Sequence, residues 1–173
     1  MPASTAVDFE VRRDDWQQCR VVEAAPAPLA GGQVLWRVDR FALTANNVTY
    51  ALTGDLLGYW SFFPAAPGWG RLPVMGFGDV LRSRHPEVAE GTRAFGFYPM
   101  STHLLIDAGE VRRGQILDLV AHRRGTALAY RQYVPTDADP LYDPAREDAL
   151  LLLRGLFLTA FLVDDFLADQ AAF

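Results

Sequence analysis

The hydrophobic pattern changes near Asp143, and this change limits the possible folds more than any other feature of the sequence. Before Asp143, short apolar runs alternate with glycine, proline and asparagine, which is typical of β-strands joined by turns. After it, apolar residues recur at nearly helical spacing. The sequence therefore predicts a β-rich domain over residues 1–142 and a helical segment over residues 143–173.

Four segments of the β-rich part have the composition of strands: residues 34–41, 72–81, 93–98 and 103–106. Residues 34–41 alternate apolar and charged side chains, as a half-buried strand does. Residues 72–81 have the pattern of a strand that bends at its glycines. Several short strands at this spacing predict an antiparallel barrel or a sandwich.

The last part of the chain has the start signals of a helix. Asp143 is suited to the cap and Pro144 to the first helical position. Gly155 either separates two helices or kinks a single one. Residues 149–166 are apolar around most of the helix circumference, so the helix is expected to be covered on several sides.

Composition excludes several classes of partner. The chain has 173 residues with 21 acidic and 16 basic side chains, every basic one an arginine, and its net charge is −5. Because no basic surplus exists to neutralise phosphates, no nucleic-acid partner is expected. The apolar stretch 149–163 contains Arg154 and is too short to span a bilayer. Residues Met1–Thr5 lack the blocks of a signal peptide, so the prediction is a cytoplasmic protein without membrane contact.

The residues that usually bind metals are few and scattered. Cys19 is the only cysteine, which excludes an internal disulfide and a zinc site built from thiolates. His85, His103 and His122 have no paired spacing and no accompanying carboxylate motif. His122 is predicted to lie on the surface. The sequence predicts no metal site.

Four motifs follow one another along most of the chain: a strand and loop at residues 34–50, a glycine-containing strand at 73–80, a Val-x-x-Gly-x-Arg turn at 88–96 with Thr92 where Asp is usual, and a helix at 153–161. In order and spacing they resemble the GroES-like catalytic domain of the medium-chain dehydrogenase/reductase superfamily. More narrowly, they resemble its DUF2855 branch. The resemblance implies a mainly β protein with some α structure, namely a GroES-like barrel followed by a C-terminal helical hinge.

The resemblance also implies an activity. The zinc-dependent members have a Cys and a His near the positions of Val48 and residues 59–62, and this chain has neither. It therefore looks like a zinc-independent, NADPH- or NADH-dependent reductase of the quinone-oxidoreductase or enoyl-reductase kind. Such an enzyme transfers hydride to an activated C=C or C=O bond.

The glycine-rich phosphate loop of that superfamily is missing from the sequence. Gly76-Phe77-Gly78 lacks the third glycine and precedes no helical pattern, so it is interpreted as a bend. In the family, the Rossmann domain begins where Ala171–Phe173 end this chain. The chain thus looks like the front half of a two-domain enzyme, and NADPH binding is expected to need the absent Rossmann domain.

The resemblance assigns three cofactor residues and one proton donor. Asn46 and Asn47, on the predicted loop, would lie near the nicotinamide ribose, and Thr159 would contact the carboxamide. The alternatives are a simple turn at the asparagines and a hydroxyl bonded within the helix at Thr159. Tyr50 is the candidate proton donor, with half-buried packing as its alternative.

Aromatic residues are the candidates for binding substrate: Tyr59, Trp60, Phe62, Phe97 and Tyr98. They either line a pocket for a small apolar or acyl substrate or cover one end of the barrel. The segment 129–140, with Tyr130 and Tyr133, is expected to reach across the cleft as an insertion.

The sequence leaves two questions open, one about its arginine pairs and one about the role of the whole chain. The pairs Arg112-Arg113 and Arg123-Arg124 either contact a phosphate or, as we favour, form a solvated charged face. The chain as a whole is either the reductase half described above or a non-catalytic small-molecule-binding or oligomerising module. In the second case the tail 149–166 is an interface between copies, and a homo-oligomer is expected in either case.

Overall fold

The computed structural model describes residues 5–25 and 28–170, and the chain forms two compact units, one up to Pro140 and one from Leu141 onward. Two sequence-based interpretations lie outside the described residues. One is the absence of a signal peptide, which involves residues 1–4, and the other is the entry to a further domain at residues 171–173. Each unit is treated by itself below.

The first unit contains the strands β1 (Ala6–Arg12), β2 (Cys19–Ala24), β3 (Gln33–Phe41), β4 (Trp69–Gly70), β5 (Pro73–Ser83), β6 (Arg93–Pro99), β7 (His103–Asp107), β8 (Ile116–Leu117) and β9 (Gln132–Pro135). They form a three-stranded sheet in the order β2-β1-β4 and a six-stranded sheet in the order β7-β3-β5-β6-β9-β8. All neighbouring strands are antiparallel. The larger sheet curls as a half-barrel, as the GroES-like prediction requires.

The two sheets are joined at the segment between β6 and β7. The backbone N–H of Phe9 donates to the carbonyl of Met100 over 2.8 Å, and that of Thr102 donates to Val7 over 2.8 Å. These bonds attach β1 to the end of the larger sheet, so the small sheet extends the barrel wall.

The alternating pattern of β3 explains its place inside the larger sheet, between β7 and β5. Val34 and Trp36 face the core and are fully buried. On the opposite face, Arg37 pairs with Asp79 over 3.1 Å. Arg93 on β6 also pairs with Asp79, over 2.9 Å, so the outer surface of three strands carries one network of ion pairs.

The glycines of β5 permit a close approach between strands. A Cβ at Gly76 would lie 2.8 Å from the carbonyl oxygen of Arg40, and one at Gly78 would lie 2.9 Å from that of Arg37. The pairing between β3 and β5 also shifts register twice, once on either side of the Val38–Gly78 pair. The sequence-based interpretation of a bend rather than a phosphate loop agrees with their position inside a strand.

Three aromatic rings in mutual contact form the centre of the core. Trp36 stacks on Tyr133 with ring centroids 5.4 Å apart and meets Tyr98 edge-on at 6.0 Å. Tyr98 and Tyr133 meet at 5.2 Å. Each such contact stabilises the fold by about 0.5–1.5 kcal/mol beyond the burial of its area.

The predicted loop that carries Asn46, Asn47 and Tyr50 is instead a helix, α1 (Ala45–Leu52). Asn47 stabilises its start, because the side-chain Oδ1 accepts a hydrogen bond from the backbone N–H of Thr44 over 2.6 Å. This contact satisfies a backbone donor that the first helical turn leaves unpaired. The prediction of a loop was wrong because Asn47 caps the start of a helix rather than forming a turn.

The second unit contains α2 (Glu147–Ala168), a single continuous helix. Gly155 lies within it, so the alternative of two separate helices was wrong. Asp143 accepts a hydrogen bond from the backbone N–H of Ala145 over 2.9 Å and caps the short 3-10 turn Pro144–Arg146 that precedes α2. Across the described residues, no helix combines the length and the apolar character needed to cross a membrane.

Candidate functional site

A cleft of about 480 Å³ opens on the first unit, and we call it the aromatic cleft. Its lining residues come from two segments of the chain, residues 57–62 and 122–130: Leu57, Gly58, Tyr59, Ser61, Phe62, His122, Gly125, Thr126, Ala127 and Tyr130. The two segments are distant in sequence, so the cleft exists only in the folded domain.

Aromatic rings form the walls of the aromatic cleft. The rings of Phe62 and Tyr130, one from each segment, are in direct contact at a tilted angle with centroids 4.8 Å apart. Tyr59 meets Phe62 edge-on at 5.5 Å and Tyr130 at 6.3 Å. Behind the wall, Phe97 of β6 contacts Tyr130 at 4.9 Å. Such walls suit a flat apolar ligand.

Residues 57–62 form the first wall of the aromatic cleft. This wall is held by a short 3-10 helix, Tyr59–Ser61, which starts after Gly58. Gly58 has a φ of +75°, a left-handed conformation that glycine adopts without steric cost. The Ser61 hydroxyl donates to the carbonyl of Gly58 over 2.7 Å and closes this turn. The geometry directs Tyr59 into the cleft, whereas Trp60 is buried in a separate core cluster.

Residues 122–130 form the second wall of the aromatic cleft, and a buried ion pair anchors it. Arg123 and Asp118 have side chains that are 1% and 0% exposed, and the guanidinium donates directly to the carboxylate. The same carboxylate accepts hydrogen bonds from the backbone N–H groups of Val120 and Asp107, over 2.9 Å and 3.2 Å. The favoured interpretation of a solvated Arg123 was therefore wrong, because its charge is used inside the domain.

This anchor extends to the cleft lining and to the core. Arg123 Nη1 donates to the Tyr133 hydroxyl over 3.2 Å, and that hydroxyl donates to the carbonyl of Phe97 over 2.8 Å. The hydroxyl of Thr126, a lining residue, donates to the carbonyl of Arg123 over 2.8 Å. The second wall is thus tied to β6 and β9 by hydrogen bonds as well as by packing.

Three titratable groups around the aromatic cleft favour their uncharged forms near neutral pH. Burial, together with a hydrogen bond to the Tyr59 side chain, raises the pKa of Tyr130 to about 12. Burial also raises the pKa of Tyr50, with a smaller contribution from Tyr59. The pKa of His122 is lowered by burial and by the adjacent Arg123, which favours the neutral imidazole. The cleft therefore presents neutral donors and acceptors.

The three predicted cofactor residues lie in different environments. Asn46 is exposed on the first turn of α1. Asn47 is buried, and its Nδ2 donates to the carbonyl of Pro73 over 2.8 Å while Oδ1 receives the Thr44 bond. On α2, the Thr159 hydroxyl donates to the carbonyl of Gly155 over 3.0 Å. The amide of Asn47 is occupied by the fold, so it fits a dinucleotide poorly.

Tyr50, the predicted proton donor, lies beside the aromatic cleft but is not among its lining residues. Its ring packs against Tyr59 with centroids 4.5 Å apart. Tyr50 is half-buried in this position. Its hydroxyl belongs to the same cluster of three phenols as those of Tyr59 and Tyr130.

The predicted substrate residues divide into two groups. Tyr59 and Phe62 line the aromatic cleft, and Phe97 contacts its wall from behind. Trp60 and Tyr98 are buried, and the Tyr98 hydroxyl donates to the carbonyl of Ala94 over 3.1 Å. For these two residues the structure shows a role in the core.

Sequence reasoning did not assign a role to several cleft residues. Tyr130 was noted only within a segment expected to span a cleft; it does line one, while residues 132–135 of that segment form β9. His122, predicted on the surface, is exposed and contributes to the cleft rim. The one usable signal was the concentration of aromatic residues in 59–63 and 130–133.

Within the described part of the chain, no three His, Cys, Asp or Glu side chains are grouped closely enough to hold a metal ion. No curated protein matches the chain significantly. A family model described as "Protein of unknown function (DUF2855)" matches residues 41–173, which include α1, both walls of the aromatic cleft and α2. The match covers more than three quarters of the sequence, and the chain belongs to the DUF2855 family.

Proposed function

We propose that the first unit binds a small apolar or acyl substrate in the aromatic cleft, as the substrate-binding part of a zinc-independent NAD(P)H-dependent reductase. The observation that carries this proposal is the cleft of about 480 Å³, whose lining includes the rings of Tyr59, Phe62 and Tyr130. A flat hydrophobic group that packs against these rings gains burial of apolar surface. The motif resemblance to the medium-chain reductases supports the choice of reaction.

The cofactor would be held mainly outside these residues. When bound, a nicotinamide cofactor supplies the hydride that reduces an activated C=C or C=O bond. Of the residues assigned to it, Asn46 is exposed on α1, whereas the Asn47 amide is engaged by Thr44 and Pro73. We therefore expect residues 1–173 alone to bind NADPH more weakly than in the micromolar range.

The contribution of this chain to the reaction is to bind and orient the substrate and to provide a proton. Leu57, Phe62 and Ala127 exclude water from one side of a bound ring. The phenols of Tyr50, Tyr59 and Tyr130 form the nearby group of proton-bearing side chains. Because burial keeps the pKa of Tyr50 above its ordinary value, this phenol stays protonated at neutral pH and is available as an acid.

Two measurements test the proposal. Nuclear magnetic resonance titration with small aryl and acyl compounds should shift signals from residues 57–62 and 122–130, and Phe62→Ala should weaken that binding. A titration of the chain with NADPH should give no saturation at micromolar concentrations. Ligand-induced shifts elsewhere only, or micromolar NADPH affinity, would contradict the respective parts of the proposal.

A second candidate function, a non-catalytic oligomerising module, is favoured by the surface of α2. The helix has ten large apolar side chains that are exposed in the single chain: Leu152, Leu153, Leu156, Phe157, Leu158, Phe161, Leu162, Val163, Phe166 and Leu167. Apolar surface of this extent normally marks an interaction site. If copies of the chain associate through α2, light scattering should show a uniform oligomer with little binding of a hydrophobic dye. A monomer that binds the dye strongly would oppose this candidate.

A further inference from the structure

Arg154 and Asp165 are oppositely charged residues on the same face of α2. The helical repeat of 3.6 residues per turn brings them within about 20° of each other around the helix axis. The rise of each residue places them about 16 Å apart along that axis, so they cannot pair with each other inside one helix. Their charges can complement each other only between two helices.

Two exposed apolar side chains lie between these charges on the same face. Leu158 is 55% exposed and Phe161 is 52% exposed. Residues 154, 158, 161 and 165 follow one another at steps of four, three and four, which is the spacing of the seam along which two helices pack. We call these four positions the α2 seam. Because the middle of the seam is apolar and exposed, its burial against another helix is favourable.

An antiparallel second copy of α2 matches every position of the α2 seam at once. Arg154 of one copy then lies opposite Asp165 of the other, and Leu158 meets Phe161. The two-fold symmetry of such a pair repeats both contacts. A parallel pair would instead bring Arg154 beside Arg154 and Asp165 beside Asp165, and like charges in contact are destabilising. The charges of the seam therefore favour the antiparallel orientation.

We propose that a second copy of this chain packs against α2 in the antiparallel orientation, along the α2 seam. The apolar residues at its centre supply most of the association free energy, and the two ion pairs at its ends fix the orientation and the register. This inference rests on the second candidate function, association through α2, and adds the face, the orientation and the pairing of residues. It does not depend on the aromatic cleft or on hydride transfer.

Charge exchange on the full chain tests the pairing, with the dimer dissociation constant measured by analytical ultracentrifugation. Arg154→Asp and Asp165→Arg should each weaken the dimer about tenfold or more, because each turns two ion pairs into like-charge contacts. The double variant Arg154→Asp/Asp165→Arg should restore the wild-type affinity, because the ion pairs re-form with their signs exchanged.

A neighbouring acid provides the matched control for these charge variants. Asp164→Arg changes the net charge as Asp165→Arg does, but position 164 lies about 80° from Arg154 around the helix axis. This control should stay within about threefold of the wild-type affinity. High salt should reduce the effect of Asp165→Arg, because exposed charges are screened.

The apolar middle of the α2 seam has its own pair of variants. Leu158→Asp should abolish the dimer, because it buries a carboxylate in the interface. Leu156 is 61% exposed and lies about 160° around the axis from Leu158, so Leu156→Asp should leave the dimer intact. Circular dichroism of each variant should show the wild-type helix content, which separates a lost interface from a lost fold.

The outcomes separate this inference from the second candidate function. If the wild-type chain stays monomeric at its highest soluble concentration, a different partner covers α2, and both fall, whereas the proposal for the aromatic cleft is unaffected. If dimers form but the double variant stays as weak as the single ones, copies associate and the antiparallel seam is overturned. A dimer that Leu156→Asp weakens as much as Leu158→Asp also overturns it, because another face of α2 is then the interface.

Discussion

Removing Arg123 should destabilise the first unit more than any surface substitution, because it leaves a buried carboxylate without its partner. Asp118 is fully buried, and Arg123 is 1% exposed. Breaking a buried ion pair from one side costs about 3–5 kcal/mol. Typical domains are stable by about 5–15 kcal/mol, so Arg123→Met should remove a large part of the free energy of unfolding.

The structure also predicts how that cost is distributed. With Arg123→Met, Asp118 keeps two backbone hydrogen bonds but loses its counter-charge. The double variant Asp118→Asn/Arg123→Met removes both charges, so its loss of stability should be clearly smaller than the sum of the single losses. The coupling between the two sites should be of the order of 2–3 kcal/mol.

Urea unfolding monitored by circular dichroism measures these differences. Arg112→Met is the matched control, because Arg112 pairs with Glu110 in an exposed position and its replacement should change the stability by no more than about 0.5 kcal/mol. The reasoning is refuted if Arg123→Met costs less than about 1 kcal/mol, or if the single effects simply add in the double variant.

Two further predictions concern packing and pH. A Cβ at Gly54 would lie 2.3 Å from the Trp60 indole nitrogen, so Gly54→Ala should destabilise the fold by about 1–3 kcal/mol in urea unfolding, whereas Gly31→Ala, with nothing within 4 Å, should be nearly neutral. A loss of similar size in both variants would contradict this. Burial, and secondarily Arg37, lowers the pKa of His103 in the folded state, so the unfolded state binds more protons below the ordinary histidine pKa of about 6.5. Stability should therefore fall as the pH drops below about 6.5, and His103→Gln should make that decline shallower; an unchanged slope would exclude His103 as a contributor.

Four strands of the larger sheet, β3, β5, β6 and β7, could be predicted from the sequence because their pattern is local. In β3, buried Trp36 alternates with Arg37 on the outer face, and this period is visible without any tertiary knowledge. The helix α1 could not be predicted in the same way. Its start depends on the Asn47 amide, and one half of that amide is bound by Pro73, which is distant in sequence. β1 and β2 were not predicted at all.

The aromatic cleft illustrates the same limit for a site. The cluster around Tyr59 was recognisable as too aromatic for a free loop, and Tyr59 and Phe62 do line the cleft. The sequence indicated Tyr130 only as part of a segment expected to reach across a cleft, and its contact with Phe62 depends on the position of β9, which pairs with β6. Arg123 and Arg124 are identical neighbours in sequence, and only the tertiary position of Asp118 makes one of them buried.

The buried ion pair is connected to the aromatic cleft through the second wall. The effect of the ion pair on ligand binding can be measured separately from its effect on stability. Thr126 bonds to the carbonyl of Arg123, and Tyr133 bonds to its guanidinium, so the anchor orients the segment that ends at Tyr130. In the double variant Asp118→Asn/Arg123→Met, the charges are gone but the guanidinium bond to Tyr133 is lost as well. Calorimetry at a temperature where that variant is fully folded should show weaker binding of small aryl compounds, because the wall itself has moved. Wild-type affinity for these compounds would mean that packing of Tyr130 against Phe62 and Phe97 is sufficient to hold the wall, and that the ion pair serves the fold alone.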